Sequence, residues 1–435
     1  MQNTRGKTLK AGDLAVVVGA GRSGKAASAL LLRKGVRVRL LEKNPKALSE
    51  PEQKVFRENG GELVLGEHHK EHFAGASAIV PSPGVPRASL LPYLDETKLA
   101  SGAVEIIAEM ELAFRYLDDE PILAVTGTSG KTTTVSVAAA MLKAQGLSVF
   151  LGGNIGTPLS EYVLDSRKAD VLVLEISSFQ LQCCQTFAPR VAVLLNLSPN
   201  HLDYHKDMQE YSDAKFRIFR WQDENDLAVL GHGLEDAAKA YGLRARKIFV
   251  EASQRFPHMQ LLGEHNRFNC EAAYQACRFF GVTESRAAEA VADFRPLPNR
   301  LERVREHKGV LYINDSKATT VSALEVAIRA IDRPLRLLCG GKFKGGDLAG
   351  LIPLVQEKVR EVALFGAARE EFEGAWKGIV PLSWHPVLKD AVQCLAEHAQ
   401  AGDAVLLAPA TASFDLYTSY AERGRDFREI VEHLA

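Results

Sequence analysis

Twice in the first third of the chain an apolar, β-branched run breaks into a glycine-rich turn and continues at once as a helix of small side chains. Leu14 to Val18 runs into Gly19-Ala20-Gly21-Arg22-Ser23-Gly24 and a helical stretch that ends at Lys34. Ile122 to Thr126 runs into Gly127-Thr128-Ser129-Gly130-Lys131 and a second helical stretch from Thr132 to Lys143. A strand that feeds a helix returns beside its parent strand, and repeated returns build open parallel α/β sheets. Val36 to Leu41 completes the first strand–helix–strand unit. Two such junctions predict two sheets, each aiming a helix N-terminus at whatever its turn binds.

The rest of the chain keeps the alternation. Ala78-Ile79-Val80 predicts a strand ending in the turn Pro81-Ser82-Pro83-Gly84, and Glu105 to Tyr116 a helix running into the polar breaker Asp118-Asp119-Glu120-Pro121. Val171 to Ile176 and Val191 to Asn196 read as buried strands, and Asn266 to Phe280 as an amphipathic helix. Arg295-Pro296-Leu297-Pro298 is stiff and marks a boundary. Beyond it Val310 to Ile313, Leu335 to Cys339, Val362 to Phe365 and Ala404 to Leu407 alternate with helices. For 435 residues at roughly 150 per domain, the pattern predicts three α/β domains. Their expected extents are residues 1–112, 113–297 and 298–435. The outer two are expected to be Rossmann-like, and the central one a phosphate-loop ATPase with a mostly parallel sheet.

Charge and cysteine content exclude several classes. Lys+Arg 53 against Asp+Glu 54 leaves a net charge of −1, so no global field draws nucleic acid or an anionic membrane. No apolar run approaches the ~20 residues of a spanning helix. Met1 to Lys7 offers no apolar segment for a secretion signal, so the expected location is the cytoplasm; the expected state is a monomer. Cys183, Cys184, Cys270, Cys277, Cys339 and Cys394 form no CxxC pair, so neither a zinc ribbon nor a disulfide framework is supported. His68-His69-x-x-His72 lies in a polar stretch and reads as a solvated loop.

The first turn matches GxGxxG, with Glu42 closing the next strand. Taken alone it points to a dinucleotide site, in which glycines admit a pyrophosphate to the helix N-terminus and the acid holds a ribose hydroxyl. A nicotinamide- or flavin-dependent oxidoreductase is the corresponding activity, although the same turn serves other nucleotide diphosphates. The second turn, Thr126-Gly127-Thr128-Ser129-Gly130-Lys131-Thr132-Thr133-Thr134, is sharper. Its backbone N–H groups suit phosphate oxygens, Lys131 neutralises them, and the Thr132 hydroxyl suits Mg²⁺. Val125 stands where the longer phosphate-loop pattern has its first glycine, so this is a shorter variant. A dehydrogenase has no use for it.

Two phosphate cradles suit an enzyme that couples nucleotide hydrolysis to work on a substrate itself carrying a nucleotide diphosphate. In this setting the chain resembles the Mur ligases. The resemblance runs through the phosphate loop, Gly153-Asn154-Ile155-Gly156, Glu175 to Leu181, Asn200-His201-Leu202-Asp203-Tyr204-His205 and Tyr211-Ser212-Asp213-Ala214-Lys215. It continues through Gly263-Glu264-His265-Asn266-x-x-Asn269, Leu297-Pro298-Asn299-Arg300, Asn314 to Thr319, Gly340 to Lys344 and Pro409 to Asp415, in order over the whole chain.

The resemblance implies ATP-dependent addition of an amino acid, D-glutamate, to UDP-N-acetylmuramoyl-L-alanine through an acyl phosphate. Relatives that add L-glutamate, and folylpolyglutamate synthases, are the neighbouring possibilities, the latter disfavoured by the N-terminal GxGxxG turn. It implies ATP on Gly127, Thr128, Ser129, Gly130, Lys131, Thr132, Thr133, Asn269, Arg300 and Asp315. Lys131, Glu175, His201 and Lys215 are the implied catalytic set. Two Mg²⁺ ions are implied on Thr132, Glu175, His201 and a carbamylated Lys215, although Lys215 by itself reads as a solvated charge. Glu175 suits a metal on its own terms, because it breaks an apolar run at a strand end. Asp203 and His205 read as local structure.

The UDP substrate is implied on Arg22, Ser23, Glu42, Lys43, Gly84, Asn154, Ser177, Gln180 and His201. The amino acid is implied on Lys317, Thr319, Lys344, Ser413 and Tyr420, the last where the family commonly has Phe. Ser413 equally suits a helix N-cap. Asn299 stands where the family commonly has His.

Overall fold

The computed structural model describes residues 6–165, 167–201 and 204–434, which build three open sheets with helices between the strands. The first sheet orders its strands Glu62–Leu65, Arg37–Glu42, Leu14–Val18, Ala78–Pro81, Glu105–Ile106, all parallel. The second orders Arg246–Val250, Leu227–Gly231, Val191–Leu194, Ile122–Thr126, Val171–Glu175, Val149–Gly153, again all parallel. The third orders Glu302–His307, Val310–Asn314, Ala404–Leu407, Leu335–Gly340, Val359–Phe365, Leu382–His385. Only its first strand is antiparallel to its neighbour.

The chain divides into two compact units, residues 1–255 with 268–291, and 256–267 with 292–435. In the first unit two sheets share one core, in which Val16, Leu30 and Ile79 join Ile122, Leu174 and Leu194. A buried ionic knot braces the same unit: Arg115 donates to Glu111 Oε1 at 3.0 Å and Glu105 Oε2 at 2.7 Å, and Thr186 Oγ1 donates to Glu111 at 2.6 Å. In the second unit alternate residues of each strand face opposite sides of the sheet. Ile313, Leu337, Leu364 and Leu406 pack in one core, and Tyr312, Leu338, Phe365 and Leu407 in the other. Burial on both faces is why these strands read as unbroken apolar runs.

Two expectations need correction. Glu105 to Tyr116 is not one helix: Glu105–Ile106 forms an edge strand, and only Glu109–Phe114 is helical. Ala78 and Ile79 pair with Glu105 and Ile106, and those ladder bonds override the helical spacing. The histidine stretch is not a plain loop either. Lys70–Phe73 is a 3-10 turn in which His72 Nδ1 accepts from the His69 N–H at 3.1 Å.

Candidate active site

Ile122–Thr126 lies in the second sheet between Val191–Leu194 and Val171–Glu175, both later in the chain, so the strand order reverses around it. Crevices beyond the carboxyl ends of strands at such a reversal are where open α/β sheets bind ligands. Three chain segments meet there. Gly127 and Gly130 turn the loop with φ of 150° and 86°, backbone that side chains resist. A Cβ on Gly130 falls 2.4 Å from Asn269 Oδ1, so only glycine lets Asn269 approach the loop. Lys131 then opens the helix Lys131–Ala144, with no acidic residue in its first turn to compete for an anion.

The polar side chains converge on this turn. Lys131 Nζ donates to the carbonyls of Gly127 and Thr128, both at 2.9 Å. Thr132 Oγ1 donates to Glu175 Oε2 at 2.7 Å, and Asn154 Nδ2 donates to Glu175 Oε1 at 2.9 Å. Glu175 is thereby fixed as a buried carboxylate beside the hydroxyl that follows the loop lysine, the donor set a hard divalent cation selects. Asn196, just past Val191–Leu194, accepts from Ser129 N at 2.9 Å. Sequence reasoning passed over Asn196, although it carries the signal that singled out Glu175: a polar residue ending an apolar strand.

Lys215 corrects a third reading. It is not a solvated charge but one of the most buried large side chains, 2% exposed on the helix Met208–Phe216. Its Nζ donates to Gly127 O at 2.8 Å and lies 4.7 Å from the Tyr211 ring centre. Burial, with the neighbouring Lys131 ammonium, pulls this amine down to about 6. Tyr211 in turn exchanges a hydrogen bond with Thr128 Oγ1 at 3.0 Å, so the helix is tied to the phosphate loop at two points.

His201 has a left-handed backbone, φ 56°, and its ring meets Phe179 edge-on at 4.9 Å. Backbone strain of this kind gathers at functional sites. His205 is buried, bonded to Ser178 Oγ at 2.9 Å and ringed by Phe179, Tyr204 and Tyr211, in keeping with a structural role. Asp203 lies outside the described residues.

At the first turn, a Cβ on Gly24 falls 1.9 Å from Gly19 O, so glycine lets helix and strand pack closely. Glu42 accepts from the amides of Ala20 at 2.7 Å and Asn44 at 2.8 Å, so its carboxylate shapes the turn itself. Arg22 forks onto Glu161 with both bonds at 3.1 Å and donates to Gly156 O at 2.6 Å. Ser23 sits in the first turn of the helix Arg22–Arg33, while Lys43 and Gly84 are exposed. Ser177 and Gln180 close a capping box on the short helix Ser178–Gln182, with Gln180 Oε1 accepting from Ser177 N at 3.0 Å.

The second unit assembles a different cluster at the carboxyl ends of three adjacent strands. Lys317 and Thr319 follow Val310–Asn314, Lys344 follows Leu335–Gly340, and Ser413 follows Ala404–Leu407. The loops are stitched together: Lys342 and Ala412 exchange backbone bonds at 2.8 and 3.0 Å, and Ala410 N donates to Ala318 O at 2.8 Å. Arg423, fully buried and not anticipated from sequence, reaches all three, donating to Ser316 Oγ at 3.0 Å, Ser316 O at 2.9 Å, Thr411 O at 3.2 Å and Gly340 O at 3.4 Å. Lys317 Nζ stands 4.0 Å over the Tyr420 ring, and the exposed Lys344 lies 5.9 Å from that of Phe414.

Ser413 is not a helix N-cap; the next helix, Tyr420–Glu432, is capped by Ser419, whose Oγ accepts from Glu422 N at 3.2 Å. Asn299 adopts φ 63°, which its short amide tolerates, and accepts from Asn314 Nδ2 at 3.0 Å. Asp315 accepts from Leu301 N at 3.2 Å; burial pushes its carboxyl up to about 7, against the pull of that bond and of Arg300.

A phosphate loop joined to a hydroxyl bonded to a buried carboxylate, with a buried lysine beside it, defines a nucleotide-hydrolysing site. The Mur ligase middle domain matches residues 125–277, and the Mur ligase glutamate ligase domain residues 299–411. A UDP-N-acetylmuramoylalanine–D-glutamate ligase from Desulfovibrio desulfuricans is 61% identical over 437 residues, spanning 100% of both chains. One from Nitratidesulfovibrio vulgaris is 59% identical over 434 residues, 100% of this chain and 99% of that one. Among solved structures, MurF ligase from Thermotoga maritima in complex with ADP shares the fold. It has a TM-score of 0.60 at 19% identity, over 92% of this chain and 96% of that one. The chain belongs to the Mur ligase family.

Proposed function

We propose that the chain is an ATP-dependent ligase joining D-glutamate to UDP-N-acetylmuramoyl-L-alanine in the cytoplasm, as a step of peptidoglycan synthesis. The observation that carries this reading is the Glu175 carboxylate, shared by Thr132 and Asn154 beside the Lys131 loop. The full-length relatives near 60% identity, named for that reaction, supply the substrates. In this reading residues 1–112 hold the UDP moiety through Arg22, Ser23, Glu42, Lys43 and Gly84. Residues 113–297 hold ATP, with Asn154, Ser177, Gln180 and His201 reaching the muramoyl-alanine. Residues 298–435 hold the amino acid. The chain acts as a monomer.

The substrate carboxylate attacks the γ-phosphorus, ADP leaves, and the acyl phosphate forms. The D-glutamate amine then attacks the acyl carbon, loses its proton, and expels inorganic phosphate. Crowding a carboxylate against a triphosphate requires cations, and Lys131 supplies one at the loop. Thr132 and Glu175, with His201 and Lys215 as its carbamate, would hold two Mg²⁺ ions that neutralise the phosphates and polarise the γ-phosphorus. The neutral Lys215 amine is the form that adds CO₂. Lys317, Thr319, Lys344, Ser413 and the backbone at Tyr420 offer donors for two carboxylates with a fixed hand.

The test is phosphate release with each UDP-muramoyl precursor against a panel of amino acids. Release is expected only with UDP-N-acetylmuramoyl-L-alanine and D-glutamate together. Equal turnover with L-glutamate, or with a longer muramoyl peptide, overturns the assignment.

A further inference from the structure

At the end of the third sheet opposite the amino-acid loops sits a cluster that ligation does not use. Glu361 lies near the start of Val359–Phe365, and Cys394 and His398 lie one turn apart at the end of the helix Leu388–His398. A carboxylate oxygen of Glu361, Cys394 Sγ and a ring nitrogen of His398 all fall within 4.8 Å of one another. His398 Nδ1 is 2.8 Å from Glu361 Oε1. The other carboxylate oxygen of Glu361 is held by Arg336, whose Nε donates to Asp403 Oδ2 at 2.8 Å. Behind the thiol, Ser383 Oγ is 3.8 Å from Cys394 Sγ and 3.0 Å from His385 Nε2.

We propose that Glu361, Cys394 and His398 form a zinc site that clips the helix Leu388–His398 to the strand Val359–Phe365. One sulfur, one imidazole and one carboxylate are the donors zinc takes, with water filling a fourth position. Zinc–ligand bonds of about 2.0–2.3 Å in a tetrahedron put ligand atoms about 3.3–3.6 Å apart. The separations here bracket that range, from 2.8 Å to within 4.8 Å, so small side-chain rotations suffice. The ion replaces the proton between His398 Nδ1 and Glu361 Oε1. That proton moves to Nε2, and the Cys394 thiol proton is released to solvent.

Arg336 does not oppose the ion, because Asp403 offsets its charge while its guanidinium fixes the Glu361 carboxylate from behind. The thiol excludes Mg²⁺, which prefers oxygen donors.

Cobalt(II) is the direct probe, because a thiolate on cobalt gives a near-ultraviolet charge-transfer band that oxygen and nitrogen donors do not. The chelator-treated full-length chain, in excess Mg²⁺, is titrated with Co²⁺ and then Zn²⁺. One equivalent of Co²⁺ is expected to raise the band, and Zn²⁺ to abolish it. The other cysteines are buried, so Cys394→Ser is expected to lose the band and one equivalent of Zn²⁺. His398→Ala is expected to weaken Zn²⁺ at least tenfold. Zn²⁺ raises the unfolding temperature of the wild type and leaves that of Cys394→Ser unchanged. Phosphate release in Cys394→Ser, at wild-type level, reports that the variant is folded. Absence of the band in the wild type, or its persistence in Cys394→Ser, overturns the proposal.

Discussion

Burial and the Lys131 ammonium hold the Lys215 amine at about 6, so at neutral pH most of it is uncharged. Two outcomes follow at this residue. Carbamylation needs the neutral amine, so ligase activity is expected to require bicarbonate and to fall as pH drops through about 6. Lys215→Arg keeps a cation that cannot add CO₂, and is expected to lose about 100-fold or more in kcat, the scale of removing one charge-stabilising group. A fully active Lys215→Arg enzyme rejects the carbamate. The second outcome concerns stability. The unfolded amine titrates near 10.5, so between about 6 and 10.5 the folded chain binds fewer protons than the unfolded one. Stability therefore rises with pH across that window, and below it the cost is constant. Thermal unfolding with CO₂ excluded is expected to show this rise, and Lys215→Met to flatten it. The burial was not legible from the sequence around Lys215, where Asp213 and Arg217 suggest a wet helix face. Burial there comes from the helix Ser178–Gln182 that it packs on and from the phosphate loop over its lysine, and only the tertiary fold reports it.

At the scale of elements, runs buried on both faces were legible: Leu14–Val18, Ile122–Thr126 and Ala404–Leu407 fall where their apolar runs place them. Edge elements were not. Glu302–His307 and Arg246–Val250 mix exposed charges with half-buried residues, and Glu105–Ile106 is too short to show a period. The same limit hid Arg423, which on a charged helix reads as solvent-facing yet fills the space beneath three loops. Arg423→Met removes a donor from each of the buried Ser316 and Thr411 carbonyls. It is expected to destabilise the chain by about 3 kcal/mol, seen as a lower urea midpoint. Lys344 is exposed on the loop after Leu335–Gly340 and bonds nothing structural among the described residues. Lys344→Ala is therefore expected to raise the KM for D-glutamate about tenfold or more with little change for ATP, as losing one charged contact predicts. An effect confined to ATP removes Lys344 from the amino-acid site.

At the scale of the whole molecule, the glycine turns that opened the sequence end strands of different sheets, although those sheets share one core. A polar substitution at one turn need not loosen the other, provided no residue of that shared core changes. Lys131 meets this condition: it is not part of that core, and its ammonium bonds two carbonyls of its own loop, Gly127 O and Thr128 O. Removing it takes a cation from the developing phosphoryl charge but leaves Ala20, Glu42 and Arg22 as they are. Lys131→Ala is therefore expected to lose about 1,000-fold or more in kcat, the range for losing a key phosphate-stabilising cation. Calorimetric affinity for UDP-N-acetylmuramoyl-L-alanine is expected to stay within about threefold of wild type, under 1 kcal/mol. Near-normal turnover in Lys131→Ala would show that the second turn is not the phosphate loop. A parallel collapse of UDP-substrate affinity would show instead that the two turns serve one nucleotide.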